Sequence, residues 1–544
     1  MTPNANPQQN PQTLTELLAR RVAAGGVAII DRDTPITAAA LEDESRRVAQ
    51  GLHDLGVREG DRVALWLPNV PAWLAAFFAC ARLGAIVVAV NTRFRSSEVA
   101  DIVGRSGATV LVYWPGYRGI DFEGILNDAG ANTQDSPEAL KGLSAIVAYD
   151  EDAAPPAPPV PRRVLGHTVK PYRDLAASAP YAHDHARPDL GCLIFTTSGT
   201  TKLPKFVLHH QASIASHAAE AARGFGFDAP GVCALLTVPM CGTYGMSNAL
   251  MPLAAGRPLV MMTTFEVQEA ARAIRRHQVT HFAASGDIVA QLREASADPI
   301  PYPSVRMVLG ARLGQAAPAQ ARGLTLVGLY GSSEMQAVLS RQPLDATPAQ
   351  REVGGGKLVT AATQVRARHT ETGNLQPHGE QGELEFKGPS CMMGYYGNPE
   401  ATKAAFTEDG FFKSGDLGYT VSKNDYVFLS RIGDVLRLSG FLVNPLEIEA
   451  VLDAHPSVLV SQVVGIDGPR GPMPVAFVLP KNGAGSANVD EAALIAHCKK
   501  QIASYKVPHH VLTIAAFPFT PSANGNKIQK AKLREMAVAA LHEK

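Results

Sequence analysis

From Arg62 to Trp114 the chain alternates short apolar runs of strand length with longer helical stretches: RVALWLP, AWLAAFFACARLG, AIVVAV, SSEVADIVGRSG and TVLVYW, in that order. Strands separated by helices of that length pair in parallel, which predicts α/β layers with substantially parallel sheets. Within this region PAWLAAFFACARLGAIVVAV, Pro71 to Val90, is apolar over a length that raises the question of a membrane span. Arg82 and Gly84 divide it. A helix from Pro71 to Leu83 followed by a buried strand from Ala85 to Val90 accounts for the same residues, with proline at the helix start and glycine just past its end.

At 544 residues the chain exceeds one ordinary core, since a domain usually takes about 100 to 200 residues. EDAAPPAPPVPRRV, Glu151 to Val164, reads as a proline-rich surface excursion. The texture changes after SRIGDVLRLSG, Ser430 to Gly440. Downstream come a helical stretch (Pro445 to Asp453), the apolar strands LVSQVVGI and PVAFVLP, a second helix (Asp490 to Ser504) and a Gly/Asn-rich turn. That is the pattern of a small α+β domain of its own.

Fifty basic and fifty acidic side chains cancel, and basic residues cluster only in pairs such as Arg162-Arg163, Arg275-Arg276 and Lys499-Lys500. The balance argues against a nucleic-acid partner. Six scattered cysteines, without a C-x-x-C pair or metal-ligand spacing, read as free thiols of a reducing compartment. The polar start MTPNANPQQNPQ lacks the basic and apolar regions of a secretory signal, so the expected location is cytoplasmic, with no transmembrane segment.

The most chemically suggestive stretch is TTSGTTKLPKFVLHH, Thr196 to His210, which follows the apolar run Leu193-Ile194-Phe195. Its hydroxyls, backbone N–H groups and Lys205 are suited to one anion, such as a phosphate. The order is not that of the common P-loop, and alone such a loop is more often a solvated turn. It resembles the T-S-G-T-T-G-x-P-K-G loop of the adenylate-forming superfamily, which includes acyl-CoA synthetases, amino-acid adenylation domains and beetle luciferases. Other segments follow in the family's order: LYGSSE (Leu329 to Glu334) resembles Y-G-x-T-E, and GELEFKGPSCMMGYY (Gly382 to Tyr396) resembles its G-E-L strand segment. GFFKSGDLG (Gly410 to Gly418), SRIGDVLRLSGFLVNPLEIE and YKVPHHV with PSANGNKIQK are similar to the G-D, hinge and closing motifs. The resemblance is most like a fatty-acid or aryl-acid CoA ligase. It implies a large N-terminal domain of layered sheets and helices over residues 1–433, and a small mobile α+β domain over 434–544.

The resemblance also implies roles. Thr197, Ser198, Gly199, Thr200, Thr201 and Lys205 would cradle the outer phosphates of ATP, and Glu334 would hold Mg²⁺, a hard cation that prefers oxygen. Lys205, Glu334 and Lys527 form the implied catalytic set. Tyr330 would stack on adenine, Ser333 keeps the hydroxyl of the family's threonine, and Gly331, Ser332 and Phe428 add nucleotide contacts. Gly310 and Ala311 stand in a degraded adenine-contacting turn. Asp416 and Arg431 would reach the ribose, an ionised carboxylate being a good acceptor for paired hydroxyls.

Lys527 would bridge the substrate carboxylate and the α-phosphate, although Lys530 stands near enough to be confused with it. Asp434 takes the hinge position, so that rotation presents either Lys527 or the Ser439-Gly440-Phe441 turn. Within the hydroxyl-rich loop two positions depart from the family pattern: Lys202 and Phe206 replace glycines, which predicts a stiffer loop than in the relatives.

The acyl pocket would draw on PMCGTYGMSN, Pro239 to Asn248, with Cys241, Gly242, Thr243 and Tyr244, and on Met335 beyond the metal-binding glutamate. No carboxylate for a substrate ammonium stands in these stretches, which suggests a neutral pocket and favours a medium-chain, alicyclic or aromatic monocarboxylic acid. ATP, Mg²⁺ and coenzyme A are the implied partners, and a homodimer is admitted. Transfer to a carrier-protein thiol and a non-catalytic nucleotide-binding relative are the alternative readings.

Overall fold

The computed structural model describes residues 9–131, 140–149, 162–197, 204–284, 286–296, 302–310, 324–351, 353–438, 441–468, 471–481, 490–522 and 525–542. These divide into two compact units. The described residues up to 310, with 324–364 and 386–412, form the first; 365–385 and those from 413 onward form the second.

The first unit is built on two largely parallel sheets. One runs Gly394–Tyr395, Lys205–His210, Gly191–Thr197, Ile86–Ala89, Arg62–Trp66, Ala108–Tyr113, Ala145–Ala148 and Lys170–Pro171. Its pairs are parallel from Gly191–Thr197 onward and antiparallel at the Gly394 edge. The other sheet has six parallel strands, from Leu326–Val327 through Met307–Leu309 to Val27–Asp31, closed by the antiparallel edge strand Thr34–Thr37.

The apolar segment resolves as the helix Pro71–Leu83 and the strand Ile86–Ala89, with every helix residue buried. Gly84 ends the helix at φ +70°, a conformation glycine adopts without steric penalty. Arg82 is buried and paired with Glu42 at 2.7 Å and Asp184 at 3.4 Å. A charge that argued against lipid is thus retained inside protein by two carboxylates. Among the described residues no helix is long and apolar enough to cross a membrane. Most of the proline-rich stretch lies outside the described residues; Arg163–Val164 forms a short hairpin with His167–Thr168.

Strands Asp425–Arg431, Phe412–Ser422, Gly382–Lys387 and Gln364–Arg368, most of whose residues belong to the second unit, lie side by side in that order. Further along the chain, Val458–Gly468 and Gly471–Pro480 pair antiparallel, and His510–Thr513 adds in parallel. Period-two alternation gives this sheet two apolar faces. Val463, Ala476 and Val478 pack with Ile448, Leu452, Leu494 and Cys498 from the helices Pro445–Asp453 and Glu491–Gln501. Val464, Val475 and Phe477 pack with Leu533 and Ala537 of the helix Lys530–His542. The second helix stops at Gln501, short of the expected Ser504, because Ile502 already has an extended backbone.

Candidate active site

Strands Gly191–Thr197 and Lys205–His210 are antiparallel with Thr197 opposite Lys205, so the two ends of the hydroxyl-rich loop are fixed by sheet register. Ser198, Gly199, Thr200, Thr201 and Lys202 lie outside the described residues. Phe206 sits opposite Thr196 in extended strand and is 2 % exposed. Strand geometry makes no demand for glycine here, and the ring turns into the core with the Arg105 guanidinium 4.2 Å from its centroid. Arg105 also donates to the Pro204 carbonyl at 2.9 Å. The bulk therefore anchors the loop's outgoing flank.

The second motif is a hairpin. Leu329–Ser332 pairs with Gln336–Arg341, leaving Ser333, Glu334 and Met335 at the turn. A Cβ on Gly331 would stand 2.3 Å from the Ala337 carbonyl, so only glycine fits the crossing. Ser332 Oγ accepts from the Met335 N–H at 3.2 Å. Tyr330 is buried, its ring stacked on Phe386 at 5.5 Å. His209, near the end of the strand Lys205–His210 in a different sheet, donates through Nε2 to the Ser333 carbonyl at 2.7 Å, while Nδ1 accepts from Gln336 Nε2 at 3.2 Å. Burial pushes this imidazole down to about 4, so it is neutral at pH 7.

The edge strand Gly394–Tyr395 ties the two hairpins together. Met392 N–H donates to the Glu334 carbonyl at 2.8 Å, Met393 N–H to Leu208 at 2.8 Å and Tyr396 N–H to Phe206 at 2.7 Å. Tyr395 consequently reaches both motifs. Its hydroxyl donates to Glu334 Oε1 at 3.0 Å, and Lys205 Nζ lies 4.5 Å from its ring centroid. Glu334 is half-buried and, among the described residues, its carboxylate has no ion-pair partner. A carboxylate with that freedom is the donor a hard divalent cation takes.

Cys241 and Gly242 lead into the helix Thr243–Ala254, with Gly242 at its N-cap. Tyr244 OH donates to the Leu309 carbonyl at 2.8 Å, which sets this stretch beside Gly310 at the end of a parallel strand. A Cβ on Gly310 would lie 2.4 Å from the Ala284 carbonyl oxygen. Ala311 is outside the described residues. Burial pushes the Cys241 thiol up to about 12, so it is no thiolate nucleophile at neutral pH. Thr243 and Met335 are buried, and the Thr243 hydroxyl has no hydrogen-bond partner among the described residues.

In the second unit Asp416 and Arg431 are cross-strand partners, with Nε and Oδ1 3.0 Å apart and Asp416 2 % exposed. Arg431 also donates to the Ser414 carbonyl at 3.0 Å. Phe428 stands opposite Gly418 on the same strand pair. Asp434 closes the short turn Ile432–Asp434, where Arg534 donates to the Gly433 carbonyl at 3.0 Å and to Asp434 Oδ1 at 3.4 Å. Lys527 lies on the strand Gly525–Ile528, opposite Thr520. Lys530 is held by the buried Glu449 carboxylate at 3.2 Å, which also accepts from Val463 N–H. Ser439 and Gly440 lie outside the described residues. Among the described residues no three His, Cys, Asp or Glu side chains form a metal cluster.

Comparison with known proteins agrees with this arrangement of motifs. The family model for AMP-binding enzymes matches residues 18–396, more than half of the chain, and that for the AMP-binding enzyme C-terminal domain matches residues 447–524. The chain belongs to the AMP-binding enzyme family. Among similar members, 4-coumarate--CoA ligase 5 of Oryza sativa subsp. japonica is 29% identical over 513 residues, covering 91% of this chain and 88% of that protein. 4-coumarate-CoA ligase 1 of Narcissus pseudonarcissus is 29% identical over 520 residues, covering 93% and 89%. The crystal structure of ATP bound MatB from Rhodopseudomonas palustris superposes with a TM-score of 0.79 at 25% identity, covering 96% of this chain and 98% of that one.

Two residues of this AMP-binding enzyme escaped sequence reasoning. Tyr395 lies inside a motif already noted, but nothing in the spelling GYY shows which carboxylate its hydroxyl meets. His209 follows the phosphate loop as one of two adjacent histidines, and only the fold distinguishes the one bonded to the Ser333 carbonyl.

Proposed function

We propose that the chain is an ATP-dependent carboxylic acid:CoA ligase acting on a medium-chain, alicyclic or aromatic monocarboxylic acid. In the first step a carboxylate oxygen attacks the α-phosphorus of ATP, an acyl-AMP forms and pyrophosphate leaves. In the second the thiolate sulfur of CoA attacks the acyl carbonyl carbon, the thioester forms and AMP leaves. Both steps concentrate negative charge on oxygen, where one well-placed donor is worth about 10²- to 10³-fold in rate.

The observation that carries the reading is the convergence of Lys205 and Glu334 on Tyr395 in a chain of the AMP-binding enzyme family. Thr197, Lys205 and the intervening loop would receive the outer phosphates. Glu334 would hold Mg²⁺, which when bound neutralises phosphate oxygens. Asp416 and Arg431 would serve the ribose, and Lys527 the α-phosphate and the substrate carboxylate. Cys241 to Tyr244 and Met335 would line the acyl pocket. The relatives named as CoA ligases support coenzyme A as acceptor over a carrier-protein thiol. Asp434, held by Arg534, is the proposed pivot between residues 1–433 and 434–544.

The test is mass spectrometry of products from a panel of acids with ATP and Mg²⁺, with and without CoA. Acid-dependent AMP and pyrophosphate, with acyl-CoA only where CoA is present, is the expected result. Pyrophosphate release without acyl-CoA, with an acyl thioester and AMP formed only when a carrier protein is supplied, would move the assignment to carrier loading; a homodimer is read from the mass of the same sample in solution.

A further inference from the structure

Lys205 and Glu334 carry opposite charges on neighbouring elements, and both are needed at one polyanion. Left alone, such a pair closes into an ion bridge, which a metal ion and a phosphate would each have to break. Among the described residues the two side chains are not paired with each other; both rest on Tyr395 instead. The hydroxyl takes one oxygen of the carboxylate, and the ring face takes the ammonium through its quadrupole.

The backbone shows that this placement is built in. Tyr395 is opposite Val207 in the sheet, and its own N–H donates to Thr402 Oγ1 at 2.9 Å. The flanking amides of Met392, Met393 and Tyr396 donate to Glu334, Leu208 and Phe206. The segment from Met392 to Tyr396, which carries the tyrosine, therefore bonds to the residue that carries the carboxylate and to the strand that carries the lysine.

We propose that Tyr395 is a positioning residue that keeps Glu334 and Lys205 apart and aimed, the hydroxyl serving metal capture and the ring serving phosphate capture. The inference rests on the ligase reading above and adds to it a division of labour within one side chain. Tyr395→Phe removes only the hydroxyl. Tyr395→Leu removes the ring as well, freeing Lys205 to close on Glu334.

Calorimetric titration of ATP, with no acid present, measures both roles without turnover. In Tyr395→Phe the half-saturating Mg²⁺ concentration for tight ATP binding rises about tenfold, the scale of one hydrogen bond to a charged group, while ATP affinity without Mg²⁺ stays within about twofold of wild type. In Tyr395→Leu both weaken. A Tyr395→Phe protein with wild-type Mg²⁺ dependence overturns the inference, and so does one in which metal-free and metal-dependent binding fall together, the mark of a merely structural role. If Tyr395→Leu fails to fold, Tyr395→Phe decides alone. Wild-type protein that binds no ATP overturns the ligase reading and this inference with it, whereas wild-type binding with an indifferent Tyr395→Phe overturns the inference only.

Discussion

Lys530 stands three positions after Lys527, the proposed catalytic lysine, and its own side chain is committed to a structural ion pair. Lys530 is committed to Glu449, a carboxylate that is 4 % exposed and also receives the Val463 amide. Removing it leaves a buried charge without a counter-ion, so Lys530→Ala is expected to cost about 3 kcal/mol in chemical denaturation while pyrophosphate release per folded molecule persists. Lys527→Ala should do the reverse. Adenylate formation, followed as acid-dependent pyrophosphate release, falls by about 10² or more, while thioester formation from a supplied acyl-adenylate is retained. Equal loss of both half-reactions would defeat the two-step assignment of Lys527. At this scale the motif spelling located both lysines, and the ion pair with Glu449, contributed by a helix far away in sequence, gives Lys530 a structural place that the spelling does not show.

Among the elements, the hairpin around the hydroxyl-rich loop shows how a departure from the family pattern is accommodated. Glycine is dispensable at Phe206 because the residue is strand rather than turn, and the side chain has a core to enter and Arg105 to cover it. Phe206→Gly should lose about 3 to 5 kcal/mol for the emptied volume, read by chemical denaturation. ATP affinity should fall with it, because the loop's outgoing flank loses its anchor. Combining it with Lys202→Gly tests whether the second replaced glycine matters; unchanged affinity in the double variant would mean that neither bulky residue serves the loop. The strand and helix periods from Arg62 to Tyr113 were legible in the sequence to within a residue or two. The pairing of Gly394–Tyr395 with Lys205–His210 was not, since two residues carry no period and their register depends on the strand they meet.

For the molecule as a whole, two buried histidines link stability to pH. Burial holds His209 at about 4 and His217 at about 3, against an ordinary value near 6.5. Between those values the unfolded chain binds the proton more readily than the folded one. Their contribution is therefore complete above about pH 6.5 and is lost as pH falls through the folded values, at about 1.4 kcal/mol per pH unit for each histidine. A melting temperature that stayed level from pH 7.5 to pH 5 would refute this. His217 shows why burial needs the fold: its Nδ1 meets Ser390 Oγ at 2.8 Å across 173 residues of chain. The sequence by itself determined the α/β class, the helix and strand hidden in the apolar segment, the family and the order of its motifs, because periodicity and motif spelling are local properties of the chain. Only the tertiary structure decided that Phe206 is core, that Lys530 pairs with Glu449, and that one tyrosine touches both Lys205 and Glu334. Those contacts join residues tens to hundreds of positions apart, and no local pattern encodes which distant backbone will bring them within a hydrogen bond.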